Sequence, residues 1–201
     1  WLPAPAPAQL LPAGEAMLEQ LELLVNQACL DRSLTVKWKV AVEADALERR
    51  WLDQLLERLP STAQLRLDAN GGWNRATAKA WMEALVGDPR FAWLEQPLPP
   101  EDRLGLENLG ERGPVALDES LERDPQLRDS WLGWQVRRPS LEGDPRPLLH
   151  QLQKGVPRRM VSTAFETGIG RRWLDHLAAL QMDGPTPAAP GLAPGWCPAG
   201  P

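Results

Sequence analysis

Three short apolar runs, each stopping on an acidic residue, set the tightest limit on how this chain can fold. Leu65-Arg-Leu-Asp-Ala-Asn70 is followed by Gly71-Gly72, Phe91-Ala-Trp-Leu-Glu95 stops at Gln96-Pro97, and Pro114-Val-Ala-Leu-Asp118 stops at Glu119-Ser120. In the first run Leu65 and Leu67 alternate with Arg66 and Asp68, which is the period of a strand, and the glycine pair supplies a tight turn. Asp68, Glu95 and Asp118 are therefore expected at the carboxyl ends of three strands.

The intervening segments carry helical spacing. Leu18, Leu21, Leu24, Val25 and Ala28 predict an amphipathic helix over 15–30, and a second is expected over 43–59, closed by Pro60. Asn74 is placed to cap a helix running to about Val86, and further helices are expected over 101–109, 144–153 and 168–182. Strands are expected over 33–40, 134–138 and 160–164. A strand-helix unit thus recurs every ~20–30 residues, the pattern of βα architecture. Periodicity leaves open sheet and barrel undecided. Counting weak strands near 9–11 and 191–193 gives seven or eight, which favours a (β/α)-barrel of the TIM type. The division expected is an extended lead-in over 1–13, a barrel domain over 14–183 and a Pro/Gly-rich segment over 184–201.

With 201 residues, 43% of them hydrophobic, the chain is long enough for a sizeable core. A net charge of -5 with interspersed signs provides no basic stripe for nucleic acid and no polybasic membrane anchor, so a small molecule is the expected partner. Cys29 and Cys197 make neither a zinc pattern nor a disulfide framework, which fits a cytoplasmic setting. No apolar run reaches membrane-spanning length. Because the sequence starts at Trp1 and ends in proline-rich residues, a fragment is expected.

Groups at the carboxyl ends of barrel strands converge on one mouth, so Asp68, Glu95 and Asp118 would meet. For any one acid, a helix cap or a surface ion pair is the commoner role. Three on consecutive units repel unless neutralised, and an all-oxygen set favours magnesium over zinc. Lys37-Trp38-Lys39 puts two lysines on one strand face and the tryptophan on the other. A solvated edge strand would look the same. Beside the acids, Lys39 becomes a candidate general base. His150 and His176 lie on predicted helices, away from strand ends, and no Ser-His-Asp arrangement is apparent. Gly168-Ile-Gly170 opens a helix and could bind a carboxylate through backbone N–H groups, although a turn needing glycine explains it nearly as well.

Lys-x-Lys, Asp-Ala-Asn, Glu-Gln-Pro, Asp-Glu-Ser and Ser162-Thr-Ala-Phe-Glu-Thr-Gly-Ile-Gly170, in that order, resemble the o-succinylbenzoate synthase family of the enolase superfamily. The resemblance implies a modified (β/α)-barrel with magnesium held by Asp68, Glu95 and Asp118. It further implies Lys39 as acid/base with Lys37 as its electrostatic neighbour, and substrate contacts from Asn70, Ser162, Gly168 and Gly170. The implied reaction is dehydration of 2-succinyl-6-hydroxy-2,4-cyclohexadiene-1-carboxylate in menaquinone and phylloquinone biosynthesis. The family's cap domain is expected to be absent, and Arg138 stands where the family has a lysine. A racemase or epimerase on the same scaffold, or an inactive fragment, are the competing expectations.

Overall fold

The computed structural model of the chain describes residues 1–27 and 34–193. Cys29, Cys197, the expected end of the first helix and the last residues of the Pro/Gly-rich segment lie outside them. The chain forms two compact units, Gln9–Ser120 on one hand and Trp1–Ala8 with Leu121–Pro201 on the other. Among the described residues no helix is long and apolar enough to cross a membrane.

The first unit runs β1 (Gln9–Leu11), α1 (Ala16–Gln27), β2 (Thr35–Lys39), α2 (Asp45–Arg58), β3 (Gln64–Asp68), α3 (Arg75–Leu85), β4 (Phe91–Glu95), α4 (Arg103–Gly110) and β5 (Val115–Leu117). Its strands are all parallel and lie side by side in chain order. Parallel pairing forces each connection to cross the sheet, and a helix is the usual crossover. α3 shows how local sequence sets an element. The Asn74 side chain accepts the Thr77 N–H, a cap worth about 1 kcal/mol, and Ala78, Trp81, Met82 and Leu85 bury one face. Trp38 is fully buried with its ring centroid 6.3 Å from that of Trp81, which stacks on Trp73 at 4.9 Å. Trp81 Nε1 donates to Asp45 Oδ1 at 2.6 Å, which satisfies the ring's one polar group.

α5 (Glu119–Arg123) crosses from one unit to the other. The second unit then holds α6 (Leu127–Ser130), β6 (Trp134–Arg137), α7 (Arg146–Gln153), β7 (Arg159–Val161) and α8 (Gly168–Met182). β6 and β7 pair in parallel, and α7 and α8 cover β7 with Leu148, Leu152, Leu174 and Leu177. Near 191–193, where a weak last strand is expected, the described residues form one parallel bridge between Ser162 and Gly191, with the Gly191 N–H donating to the Val161 carbonyl at 2.9 Å. Pro190 has no N–H to give a ladder, and Ala193 takes a left-handed φ of 45. A Cβ at Gly191 would lie 2.6 Å from Ser162 Oγ and 3.2 Å from Ser162 Cβ, so the serine would have to shift to admit one.

Candidate active site

Register decides which side chains meet. Lys39 pairs with Asp68 and Asp68 with Glu95, giving one row across β2, β3 and β4. Lys37, Arg66 and Trp93 form the row beneath it. Side chains two apart on a strand share a face, so both rows point the same way. Glu95 is level with Ala116, and Asp118 follows two residues later, just past the end of β5.

From the lower row the Lys37 ammonium reaches up between two carboxylates, 2.7 Å from Asp68 Oδ2 and 2.5 Å from Glu95 Oε1. Burial alone would lower its pKa, but the Glu95 and Asp68 charges outweigh burial and hold it above the usual lysine range. Glu95 is wholly inaccessible. Burial pushes its carboxyl up to about 7; Lys37 opposes the rise, while the Asp68 and Asp118 charges add to it. Behind it, Trp93 Nε1 donates to Glu95 Oε2 at 3.4 Å, and the Arg66 guanidinium lies 4.1 Å over the Trp93 ring. Burial brings Arg66 down to about 10, against the pull of the Glu95 charge.

The three acids predicted at strand ends are thus buried at strand ends, with Asp68 6% and Asp118 1% exposed. Lys37 is half-buried among them, while Lys39, at the end of β2, is exposed. Asn70 takes φ 44, a left-handed value that asparagine tolerates, and folds its N–H back to Asp68 Oδ1 at 3.1 Å. Its side chain donates to Glu119 Oε1 at 2.9 Å.

The other predicted residues belong to the second unit. Arg138 donates to the Thr163 carbonyl at 3.3 Å and lies 3.8 Å from Glu122. Ser162 is buried, with its hydroxyl on the Gly191 carbonyl at 3.3 Å. Gly168 starts α8 at φ 54, a value that favours glycine, so its conformation is reason enough for the residue. Gly170 lies in the first turn, where a Cβ would sit 3.3 Å from Glu166 Cβ. His150 and His176 fall on α7 and α8, as expected.

Two organising residues escaped the sequence reading. Glu48, buried in α2, accepts the N–H groups of Ala41, Val42 and Glu43 at 2.9, 3.0 and 3.0 Å and so shapes the loop after β2. An acid in a first helical turn signals a favourable helix-dipole interaction and nothing about reaching backward. Gln96, fully buried, connects the ends of β4 and β5. Its only signal was its place between Glu95 and Pro97.

Among the described residues no three acidic, histidine or cysteine side chains stand ready as a ligand cluster, and the Lys37 ammonium fills the space between Asp68 and Glu95. The donor chemistry nonetheless fits a hard divalent cation. Three carboxylates end consecutive strands, and burial, with the Asp68 and Asp118 charges adding to it, raises the Glu95 carboxyl even against the Lys37 ammonium.

Comparison with known proteins bears on the family and the fold. The curated o-succinylbenzoate synthase of Thermosynechococcus vestitus is 39% identical over 178 residues, covering 84% of this chain and 54% of that protein. A hydrophobic dipeptide epimerase of Flavobacteria bacterium MS024-2A is 32% identical over 109 residues, covering 53% of this chain and 30% of that protein. The chain therefore spans about half or less of the length of these curated relatives. The crystal structure of o-succinylbenzoate synthase from Thermosynechococcus elongatus BP-1, complexed with magnesium in its active site, superposes with a TM-score of 0.80 at 34% identity over 96% of this chain and 62% of that one. The fold is the α/β barrel type of these proteins. Residues 16–130, more than half of the chain, match the "Enolase C-terminal domain-like" family, and it is to this family that the chain belongs.

Proposed function

We propose that the protein carrying this chain is a magnesium-dependent hydro-lyase, an o-succinylbenzoate synthase of menaquinone and phylloquinone biosynthesis working in the cytoplasm. The observation that carries the reading is the row of carboxylates, Asp68 and Glu95 beside Lys39 with Asp118 on the next strand end. The 39% identical relative supports the choice of reaction.

In this reading Asp68, Glu95 and Asp118 hold Mg2+, which when bound supplies Lewis-acid stabilisation to a carboxylate whose α-proton is being removed. Lys39 takes that proton. The C–H electron pair becomes a ring double bond, the C–O bond breaks, and Lys39 returns its proton to the departing hydroxyl, so water leaves and the ring becomes aromatic. Lys37 keeps a fixed positive charge against Asp68 and Glu95, which holds both oxygens in place. Asn70, Ser162, Gly168 and Gly170 as substrate contacts, and Arg138 as a fixed cation, enter on the order of motifs alone.

A second reading, an epimerase or racemase, is favoured by the 32% identical dipeptide epimerase. Two-face proton exchange needs a second group that can change protonation. Arg138, in the place of the family lysine, remains charged at any working pH and cannot be that group. Arg138→Lys is expected to retain dehydration.

The test is isothermal titration with Mg2+ at neutral pH, followed by turnover of the cyclohexadiene substrate. One site is expected, lost in Asp68→Asn, Glu95→Gln and Asp118→Asn; heat that survives those changes, or no heat at all, overturns the metal centre. Lys39→Arg is expected to abolish dehydration with magnesium affinity intact, and near-native turnover would remove Lys39 from the reaction. Inversion with deuterium uptake at the α-carbon of an N-succinylamino acid would transfer the case to the racemase.

A further inference from the structure

We infer that Gln96 is a positioning residue of this site, its buried amide fixing the spacing of the strand ends that carry Asp68, Glu95 and Asp118. The inference rests on the reading of those carboxylates as one functional cluster.

Every hydrogen-bonding valence of the Gln96 amide is used. Nε2 donates to the Leu98 carbonyl at 2.9 Å and to Ser120 Oγ at 2.7 Å. Oε1 accepts the N–H groups of Asp118 and Ser120, each at 3.1 Å. A side-chain amide offers two donors and an acceptor oxygen with two lone pairs, so this set is complete. The backbone of the same residue joins two more elements. Its carbonyl accepts the Gly71 N–H at 2.7 Å, and its own N–H donates to the Ala116 carbonyl at 2.8 Å. One residue therefore touches the turn after Asp68, adjoins Glu95, and holds the backbone on both sides of the Asp118–Ser120 corner.

Gln96 adopts φ 37, a left-handed value that is uncommon for a residue other than glycine, asparagine or aspartate. Such backbone persists only where its surroundings over-determine it, and six hydrogen bonds at a site with no exposure do so. No close substitute meets these demands. Asparagine is one methylene short, glutamate would turn an oxygen toward the Leu98 carbonyl, and methionine of similar length would strand the Asp118 and Ser120 N–H groups. Three carboxylates on separate strands can serve one cation only if their spacing is held, and the amide ties the third to the second.

The test uses Gln96→Met and Ser120→Ala, the latter removing one of the four amide bonds and little else. Two measurements are made on each. In the metal-free chain, Gln96→Met is expected to speed amide exchange at Asp118 and Ser120 at least tenfold, while Val36 and Leu67 in β2 and β3 stay unchanged. With Mn2+ as probe, its affinity is expected to fall at least tenfold, and its electron paramagnetic resonance line to broaden as the ligand field distorts. Ser120→Ala should show the same changes in smaller degree, and it decides the matter if the methionine variant does not fold. A purely structural role would lower the melting temperature and leave the Mn2+ spectrum of the folded variant as in wild type; that result, or unchanged exchange at Asp118 and Ser120, overturns the inference. If the wild-type chain binds no Mn2+, the metal reading falls by itself, and the exchange data still decide whether Gln96 holds the Asp118 corner.

Discussion

Lys37→Met removes the one ammonium that bridges Asp68 and Glu95, and its cost should depend on pH in a direction that the site fixes beforehand. The three side chains are 17%, 8% and 0% exposed, so little water can replace the lost charge. Taking one partner from a buried pair costs about 3–5 kcal/mol, and the partial exposure of Lys37 argues for the lower end, about 3 kcal/mol, where Glu95 is ionised. The carboxyl of Glu95 is raised from 4.5 to about 7. An acid with a folded pKa above its unfolded one binds its proton more tightly when folded, so stability falls as pH climbs from 4.5 through 7. Lys37 is among the groups that limit this rise, so its removal lifts the Glu95 pKa further and extends the loss to higher pH. Lys37 itself has a raised folded pKa and contributes stability below 10.5 that is lost only above that value, so its own titration adds no slope in the neutral range. The penalty should thus be smaller at pH 5.5 than at pH 9, increasing by at most about 1.4 kcal/mol per pH unit on top of the constant loss of the Asp68 contact. Urea unfolding of both proteins at these two pH values measures it. An equal penalty at both, or a larger one at pH 5.5, would refute the assignment of Glu95 as the acid that Lys37 neutralises.

Further expectations concern the loops. Glu48→Ala leaves the Ala41, Val42 and Glu43 N–H groups without their acceptor and should cost about 2–4 kcal/mol in chemical denaturation, with a loss under about 1 kcal/mol counting against the role given to Glu48. Gly72→Ala would place a methyl 2.8 Å from Ala41 Cβ and 3.0 Å from the Ala69 carbonyl, and should destabilise by about 1–3 kcal/mol. Adding Ala41→Gly removes that methyl and the left-handed strain at φ 63, so the double variant should recover part of the loss; strict additivity of the two changes would show that the loops do not touch as described.

Much of the first unit could be read from the sequence because its signals are local. Alternation in Leu65–Asp68 and the Gly71-Gly72 stop fixed β3, Asn74 announced the cap of α3, and the Lys-Trp-Lys alternation set Trp38 on the strand face opposite both lysines. Each depends on a period of two or 3.6, or on one side chain bonding its own next turn. What tertiary structure decided depends on register between strands distant in the chain. That Lys37, one row below, lies between Asp68 and Glu95 while Lys39 stays exposed follows from the pairing of β2, β3 and β4. Arg137, one residue before the predicted Arg138, is 1% exposed against Glu142, Gln135 and Gln151, although its position in the strand gave no sign of a buried ion pair. Glu48 and Gln96 act through backbone groups that exist at every residue, so no side-chain pattern marks their targets. A backbone N–H becomes a specific partner only once folding has brought it within hydrogen-bond distance and removed the water that would otherwise satisfy it.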